Sequence, residues 1–432
     1  MGRIAALALA GVSALASAQT YGPVADKAAA EPVTAPPPPG VDPELAAAAA
    51  RAIDANPAMR AARLNSRAAG VDVRSARWLR GPSVSVNAFA FEGGSQIVRG
   101  DNFTANLIVD QPIWQGGRIN GTIDRARAAE RQIEAATDET AQDIALRVTG
   151  VYFDYIRAAR RARMLEAGLT EHRALVGSIE RRVAQEVSPR VDLELARSRT
   201  AQLLEQQSTT NAQAVASLQQ LRVLVGDPSF TPSTDVTYDP AVHHPDQAGA
   251  VEAATTCSPT RHRLEAEALI ARADQKLAKS QYMPRLSAQF TSNEITGERV
   301  GLALSAATNG GLSQFEAARG AQIRRDAAEA RIGAAGLDIQ TALAGDFAEN
   351  GAARDRIGTS RTAAESARAV TDSFQRQFVV GRRGWLDVLN AALEATQADL
   401  AAADATVSAV SSAARIQLRT CTWQPQSPIG RQ

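Results

Sequence analysis

The sequence predicts a mainly α-helical chain that is internally duplicated and carries four β-strands of membrane-crossing length. Three observations lead there. A set of residues recurs at a nearly constant offset across the 432 positions. Two very long segments lack proline and carry apolar residues at alternating steps of four and three. Four short runs alternate apolar and polar residues with period two.

Composition sets the frame. The net charge is +1, so the excess of Lys and Arg that marks a nucleic-acid footprint is missing. Aromatic residues make up 4% and alanine is abundant, which suits long helices better than one large globular core. The start, MGRIAALALAGVSALASAQT, has Arg3, an apolar run over 4–16, and the triplet Ala16-Ser17-Ala18. This pattern predicts a secretory signal peptide over 1–18, cut after Ala18. The run is too short to span a bilayer as a helix, and no cysteine follows the cut to carry a lipid. Residues 19–41, ending APPPPG, read as a flexible or polyproline lead-in.

The duplication follows. Asn56-Pro57 opens a helical segment that ends at GPSVSV, and Ser258-Pro259 opens one that ends at MPRLSA, 202 residues later. Leu107 and Val109 match Leu302 and Leu304, Asp143-Ile144 matches Asp338-Ile339, and Asp192 matches Asp387, all at 195. The difference falls in a Gly-containing loop between residues 92 and 103, where length changes are tolerated. The repeats are placed at 42–226 and 257–423, with a Pro-containing linker at 227–256 and a tail at 424–432.

Each repeat reads as helix, strand, loop, strand, long helix, turn, helix. The strands are expected at 82–92 and 103–113, then at 284–294 and 300–308. Phe103, Ala105, Leu107 and Val109 alternate with Thr104, Asn106 and Asp110. Leu286, Ala288 and Phe290 alternate with Ser287, Gln289 and Thr291. About ten residues is the length of a tilted strand crossing a bilayer, although an ordinary hairpin has the same pattern.

The long helices carry a heptad seam. In the first repeat it runs Ile144, Val148, Val151, Tyr155, Ala158, Ala162, Leu165, Leu169, His172, Val176, Ile179, Val183. That spacing predicts left-handed coiled-coil packing over a rod of roughly 100 Å. In the second repeat the seam runs Ile339, Leu343, Asp346, Asn350, Ala353, Ile357, Ser360, Ala364, Ala367, Thr371, Phe374, Phe378. It is smaller and more polar, which suggests a coil closer to water. His172 reads as a polar seam residue, not a metal ligand, and His243-His244 as a polar linker pair.

Four strands cannot sit in lipid as an open sheet, because the edge N–H and C=O groups would have no partners. Several chains must contribute. Two give an eight-stranded barrel filled by side chains, and three give twelve strands and room for a lumen.

The sequence resembles the TolC-type outer-membrane efflux and secretion proteins over most of its length, from about Asp42 to Trp423. The resemblance is carried by Asn56-Pro57, QPIWQGGR at 111–118, its degenerate partner ATNGGLSQ at 307–314, VGRRGWLDVLNAALE at 380–394, and the duplication. It implies a homotrimer whose twelve-stranded barrel, four strands per chain, continues into an α-helical coiled-coil tunnel in the periplasm. It implies an outer-membrane duct of a tripartite machine, working with a periplasmic adaptor and an inner-membrane ABC transporter or other pump. The double arginine with GWLDVLNA looks most like the type I protein secretion branch; small-molecule efflux through the same duct is the alternative. A periplasmic coiled-coil scaffold without a pore is the competing class. No nucleophile elbow, phosphate loop or metal spacing argues for an enzyme, and no cofactor or metal is expected.

The resemblance also assigns residues. The turn after Phe378 would be the closed periplasmic tip. Arg383 matches the family's tip arginine, Asp387 the first acid of its constriction, and Asp192 an acid that this arginine pairs with. The second acid is Asn390 here and the tip tyrosine is Phe378, so the constriction carries less charge. Trp385, with Gly381, Arg382, Pro189 and Arg190, is a candidate for adaptor contact or for packing of the tip. Cys257 and Cys421 would lie at one level midway along the tunnel, and a disulfide between them is expected.

Overall fold

The computed structural model describes residues 37–425 apart from 91–102, 294–296 and 308–311. The expected signal peptide, most of the lead-in, the first hairpin loop and nearly all of the C-terminal tail lie outside the described residues. Helices α1 (Pro43–Ala55) and α2 (Pro57–Trp78) lead into strands β1 (Ser83–Ala90) and β2 (Phe103–Trp114). Helix α3 (Arg118–Ala184) then turns into α4 (Arg190–Val225). The second repeat follows as α5 (Ala250–Cys257), α6 (Pro259–Ser280), β3 (Arg285–Asn293), β4 (Gly297–Ser305), α7 (Ser313–Val379) and α8 (Trp385–Arg419).

The repeat holds at residue level. Both α3 and α7 have 67 residues and start and end 195 apart, and both α2 and α6 have 22 residues, 202 apart. The sequence places these starts by local chemistry. Asn56 caps α2 by accepting from the Ala58 N–H, and Ser258 caps α6 by accepting from Arg261 N–H, each with proline at the first helical position. Pro38 to Asp42 lead into α1 in the same way, with the Asp42 carboxylate accepting from Glu44 N–H.

The sheet runs β1-β2-β3-β4, every pair antiparallel. Strand β4 starts at Gly297 and ends at Ser305, three residues earlier at each end than expected. ITGER was read as loop, but Glu298 and Arg299 pair with Ser292 and Thr291. Gly297, at φ +69°, lets the chain turn back that soon.

Every residue of both seams is buried or half-buried. The main core joins the repeats at mid-length: Leu45, Ala49 and Ile53 of α1 pack with Ile144, Val148 and Tyr152 of α3, Val407 and Val410 of α8, and Trp423. Burying each large side chain contributes about 1.5–3 kcal/mol. The buried Tyr152 hydroxyl donates to the Asp42 carboxylate at 3.0 Å, which satisfies the polar tip of an otherwise apolar contact. Burial and that carboxylate hold its pKa far above the ordinary tyrosine value.

The polar seam of the second repeat does not lie in water at its most polar points. Asp346 is buried and accepts from Arg415 at 2.9 Å and from Arg419 at 2.7 Å. Asn350 is buried and donates to the Ala409 carbonyl and to Ser412. Partners on α8 replace water, so the expectation of a wetter coil is corrected at these positions. Beside them Cys257 and Cys421 form a disulfide, with Cα atoms 6.3 Å apart, closing a separation of 164 residues.

Candidate functional site

Two regions combine exposure with an ordered arrangement: the sheet at one end of the long helices and the turns at the other. The sheet has two chemically different faces, because successive side chains in a strand point to opposite sides. Val84, Val109, Phe290 and Val300 stand in one cross-strand row, and Ala288 and Leu302, then Leu286 and Leu304, continue that face. Val84, Val86, Val300, Leu302 and Leu304 are exposed. The neighbouring row on the other face is Ser83, Asp110, Gln289 and Gly301. There the Asp110 carboxylate accepts from Ser287 at 2.8 Å and Gln289 at 2.7 Å. The outer edges of β1 and β4 pair with no strand among the described residues.

At the far end each pair of long helices closes through the same turn. In the first, Glu186 has φ +57°, and Val187 N–H bonds the Arg182 carbonyl at 2.9 Å. In the second, Gly381 has φ +73°, and Arg382 N–H bonds the Gln377 carbonyl at 2.9 Å. These bonds satisfy carbonyls that the helix end would otherwise leave open. Pro189 and Gly384 precede α4 and α8 without a side-chain cap. Asp192 and Asp387 sit in the first turns instead, where the positive end of the helix dipole favours an acid.

Within the chain Arg383 reaches Asp387 at 3.6 Å, not Asp192, and its guanidinium lies 4.1 Å from the centre of the Phe374 ring. Among the described residues no cation lies within ion-pair reach of Asp192. Phe378 is covered by the Arg182 guanidinium at 4.9 Å. This contact joins α7 to α3 and so links the two repeats near the turns; Glu171 and Gln375 form a hydrogen bond between the same helices. Asn390 is exposed on α8, whereas Val388 and Leu389 beside it are buried. Trp385 is half-buried at the first position of α8, and Arg190 is exposed at the first position of α4.

Sequence reasoning missed two features here. Val187, Val191, Val379, Val380 and Leu386 form exposed apolar positions around both turns. Their signal is present in VVGRRGWL, where aliphatic residues flank the charged turn. A cleft of about 610 Å³ also opens between the repeats, lined by charges of both signs, among them Arg163, Glu171, Arg368 and Asp399. It forms where helices about 200 residues apart in sequence meet, so no local pattern reports it.

Among the described residues no group of His, Cys, Asp and Glu is placed to hold a metal ion, and no helix is long and apolar enough to cross a membrane. His243 is buried in the linker, where its ring nitrogen bonds the Asp239 N–H at 2.9 Å.

Comparison with known proteins adds a sequence match over part of the chain and a fold match over most of it. Residues 48–227 match the outer membrane efflux protein family. No curated protein sequence matches the chain. Among solved structures, a membrane protein from Pseudomonas aeruginosa superposes with a TM-score of 0.77 at 18% identity, covering 88% of this chain and 92% of that one. The outer membrane protein VceC from Vibrio cholerae does so with a TM-score of 0.77 at 16% identity, covering 89% and 98%. The Campylobacter jejuni CmeC outer membrane channel gives 0.74 at 11% identity, covering 87% and 85%. The chain thus carries the sequence pattern of the outer membrane efflux protein family over 48–227 and, along most of its length, the fold of these solved structures.

Proposed function

We propose that three copies of this chain close a twelve-stranded barrel in the outer membrane, and that their long helices form a tunnel reaching into the periplasm. The observation that carries this reading is the two-faced sheet. A face of Val84, Val109, Phe290, Val300, Leu302 and Leu304, exposed on β1 and β4, suits lipid, a polar opposite face suits a water-filled lumen, and two edges unpaired among the described residues demand further strands. Three copies of a four-stranded sheet leave a lumen, whereas two would fill it with side chains. On this reading the signal peptide is cut near Ala18 and the mature chain is exported.

The duct is passive. Its periplasmic end is the pair of turns, where three copies of Asp387 form a ring that favours cations. Asn390 leaves a second ring neutral. Arg383 partly offsets the Asp387 charge and anchors it against Phe374. The exposed valines around the turns, with Leu386 and the half-buried Trp385, suit contact with a periplasmic adaptor that connects the duct to an inner-membrane pump. The double arginine and GWLDVLNA support protein as the cargo, delivered by an ABC transporter. The match to an efflux family supports small molecules as the second reading.

Planar-bilayer recording of the purified protein tests the duct. Wild type is expected to give small cation-selective steps, Asp387→Ala to lose the cation preference, and Arg383→Ala to enlarge the steps. Absence of conductance from all three, with protein that stays out of detergent micelles, would leave a periplasmic scaffold as the better account.

A further inference from the structure

Below the main core the two repeats meet along a regular ladder between α3 and α8. Arg157 donates to Ser408 at 3.4 Å, and Arg161 pairs with Asp404 at 3.0 Å. Leu165 and Leu400 share one buried cluster. A β-carbon on Gly168 would stand 2.5 Å from the Thr396 hydroxyl oxygen, so the helices touch there. From rung to rung the α3 position advances by one helical turn while the α8 position steps back by one, as antiparallel helices in contact require. The next rung on α3 is His172, level with residues 392 and 393 of α8. Helix α4 joins at this level, since Leu203 packs with Leu165, Leu169 and Leu400.

This rung carries a titratable ring in a dry place. His172 is 0% exposed, and neither ring nitrogen has a hydrogen-bond partner. Thr396, the nearest hydroxyl on the ladder, donates to the Ala392 carbonyl. The buried side chains at this level are Leu169, Ala196 and Leu203, with Leu389 and Ala392 of α8. The charged groups around it are engaged elsewhere or lie in water. On α3 Glu171 accepts from Gln375 of α7, and Arg173 is exposed. On α4 Arg199 bonds Gln202 at 3.0 Å, and Arg197 pairs with Glu180 at 3.1 Å. On α8 Glu394 is exposed, Asp399 pairs with Arg368 of α7 at 2.7 Å, and Asp404 is held by Arg161. On α7 Asp372 acts on Glu171. None of these groups stabilises a charge on His172; burial alone acts on the ring and favours its neutral form.

A neutral imidazole fills the junction as an apolar ring would. An imidazolium there is a buried charge without an acceptor, which an apolar junction does not tolerate. Acid therefore favours an arrangement in which α8 has drawn away from α3 far enough for water to reach the ring. Helix α8 rises from the second turn through Trp385 and Asp387 to this rung, so those residues move with it. We infer that His172 is an acid-responsive wedge between the repeats, which on protonation parts α8 from α3 and widens the periplasmic end of the duct. This rests on the duct reading above and gives that duct a regulator. The ratio of parted to closed junction changes by up to about tenfold per pH unit below about pH 6.5, where a hydrated imidazole takes up its proton and the buried one does not.

Planar-bilayer recording of the full chain between pH 7.5 and pH 5 tests this. Wild-type steps are expected to be at least about twofold larger at pH 5 than at pH 7.5. His172→Leu and His172→Phe, which keep an apolar filling, are expected to hold the pH 7.5 step size throughout. Asp404→Asn, which removes the acid of the ladder, is expected to keep the wild-type rise. Hydrogen–deuterium exchange at the His172 ring carbon of wild type, read by mass spectrometry, is expected to show the ring protonating over the same range. Wild-type steps that ignore pH, a rise that both His172 variants keep, or a ring that stays neutral while the steps grow would overturn the inference and leave the duct intact. Absence of wild-type conductance at every pH would overturn the duct reading, and the regulator with it.

Discussion

Glu186 adopts a left-handed backbone, φ +57°, at the position that Gly381 occupies 195 residues later with φ +73°. The two turns share a hydrogen-bond pattern, yet only the second has the residue that takes this conformation without steric cost. A side chain there costs about 1 kcal/mol. Glu186→Gly is therefore expected to stabilise the first hairpin by about 1 kcal/mol, and Gly381→Ala to destabilise the second by a similar amount. Hydrogen exchange of the amides flanking each turn checks this, and identical exchange in wild type and both variants would contradict it.

The buried acid of the second seam gives a larger effect. Asp346 accepts from both Arg415 and Arg419, and Glu349 also pairs with Arg415. Removing the shared acid leaves two guanidinium groups short of a partner. Asp346→Ala is expected to lower stability by about 3 kcal/mol. Glu349→Ala, whose acid is largely exposed, is expected to cost below about 1 kcal/mol. Thermal unfolding followed by helix content separates the two; equal shifts would show that burial is not what matters.

Both long seams were legible because a heptad row is local information. Ile144 through Val183 and Ile339 through Phe378 each state their own burial, and the strands state their two faces by alternation. What was not legible lies between elements. The heptad row places Asp346 in the seam but does not name its partner, Arg415, which lies 69 residues on. Arg383 has two acids within sequence reach of a tip role, Asp192 by resemblance and Asp387 by helical spacing, and the chain's own fold selects the one four residues away. The Arg182–Phe378 contact joins helices from different repeats and leaves no local trace. Strand β4 was placed late because GER looks like loop until its cross-strand partners are known.

His172 is fully buried in the first seam, and neither ring nitrogen has a hydrogen-bond partner. Burial pushes its pKa below the ordinary histidine value. The folded state thus binds this proton less readily than the unfolded state. Stability is unaffected above the unfolded pKa of about 6.5 and falls as pH drops from there toward the folded value, by up to about 1.4 kcal/mol per pH unit. The neighbouring Glu171 acts oppositely, since burial raises its pKa and the folded state takes up a proton more readily as pH falls. His172→Leu is expected to stabilise the protein at pH 7 by about 1–3 kcal/mol and to flatten its loss of stability between pH 6.5 and 5. An unchanged pH profile would show that another group carries the effect.

The disulfide ties the start of the second repeat to its end. In the chain-entropy account, closing a loop of 164 residues contributes about 5 kcal/mol. Cys257→Ser and Cys421→Ser, singly or together, are expected to cause the same loss. Reduction of wild type is expected to reproduce it. A larger loss in the double variant than in either single variant would mean that one cysteine has a separate packing role.

The central claim is that the four-stranded sheet turns its apolar face to lipid. The most direct measurement is the emission of an environment-sensitive fluorophore on single cysteines placed along β4 of the full chain in lipid vesicles. Positions 300, 302 and 304 are expected to give blue-shifted emission that lipid-borne quenchers reduce. Positions 299, 301 and 303 are expected to give water-like emission that aqueous quenchers reduce. Emission without that alternation, or water-like at every position, would contradict a membrane barrel and with it the duct.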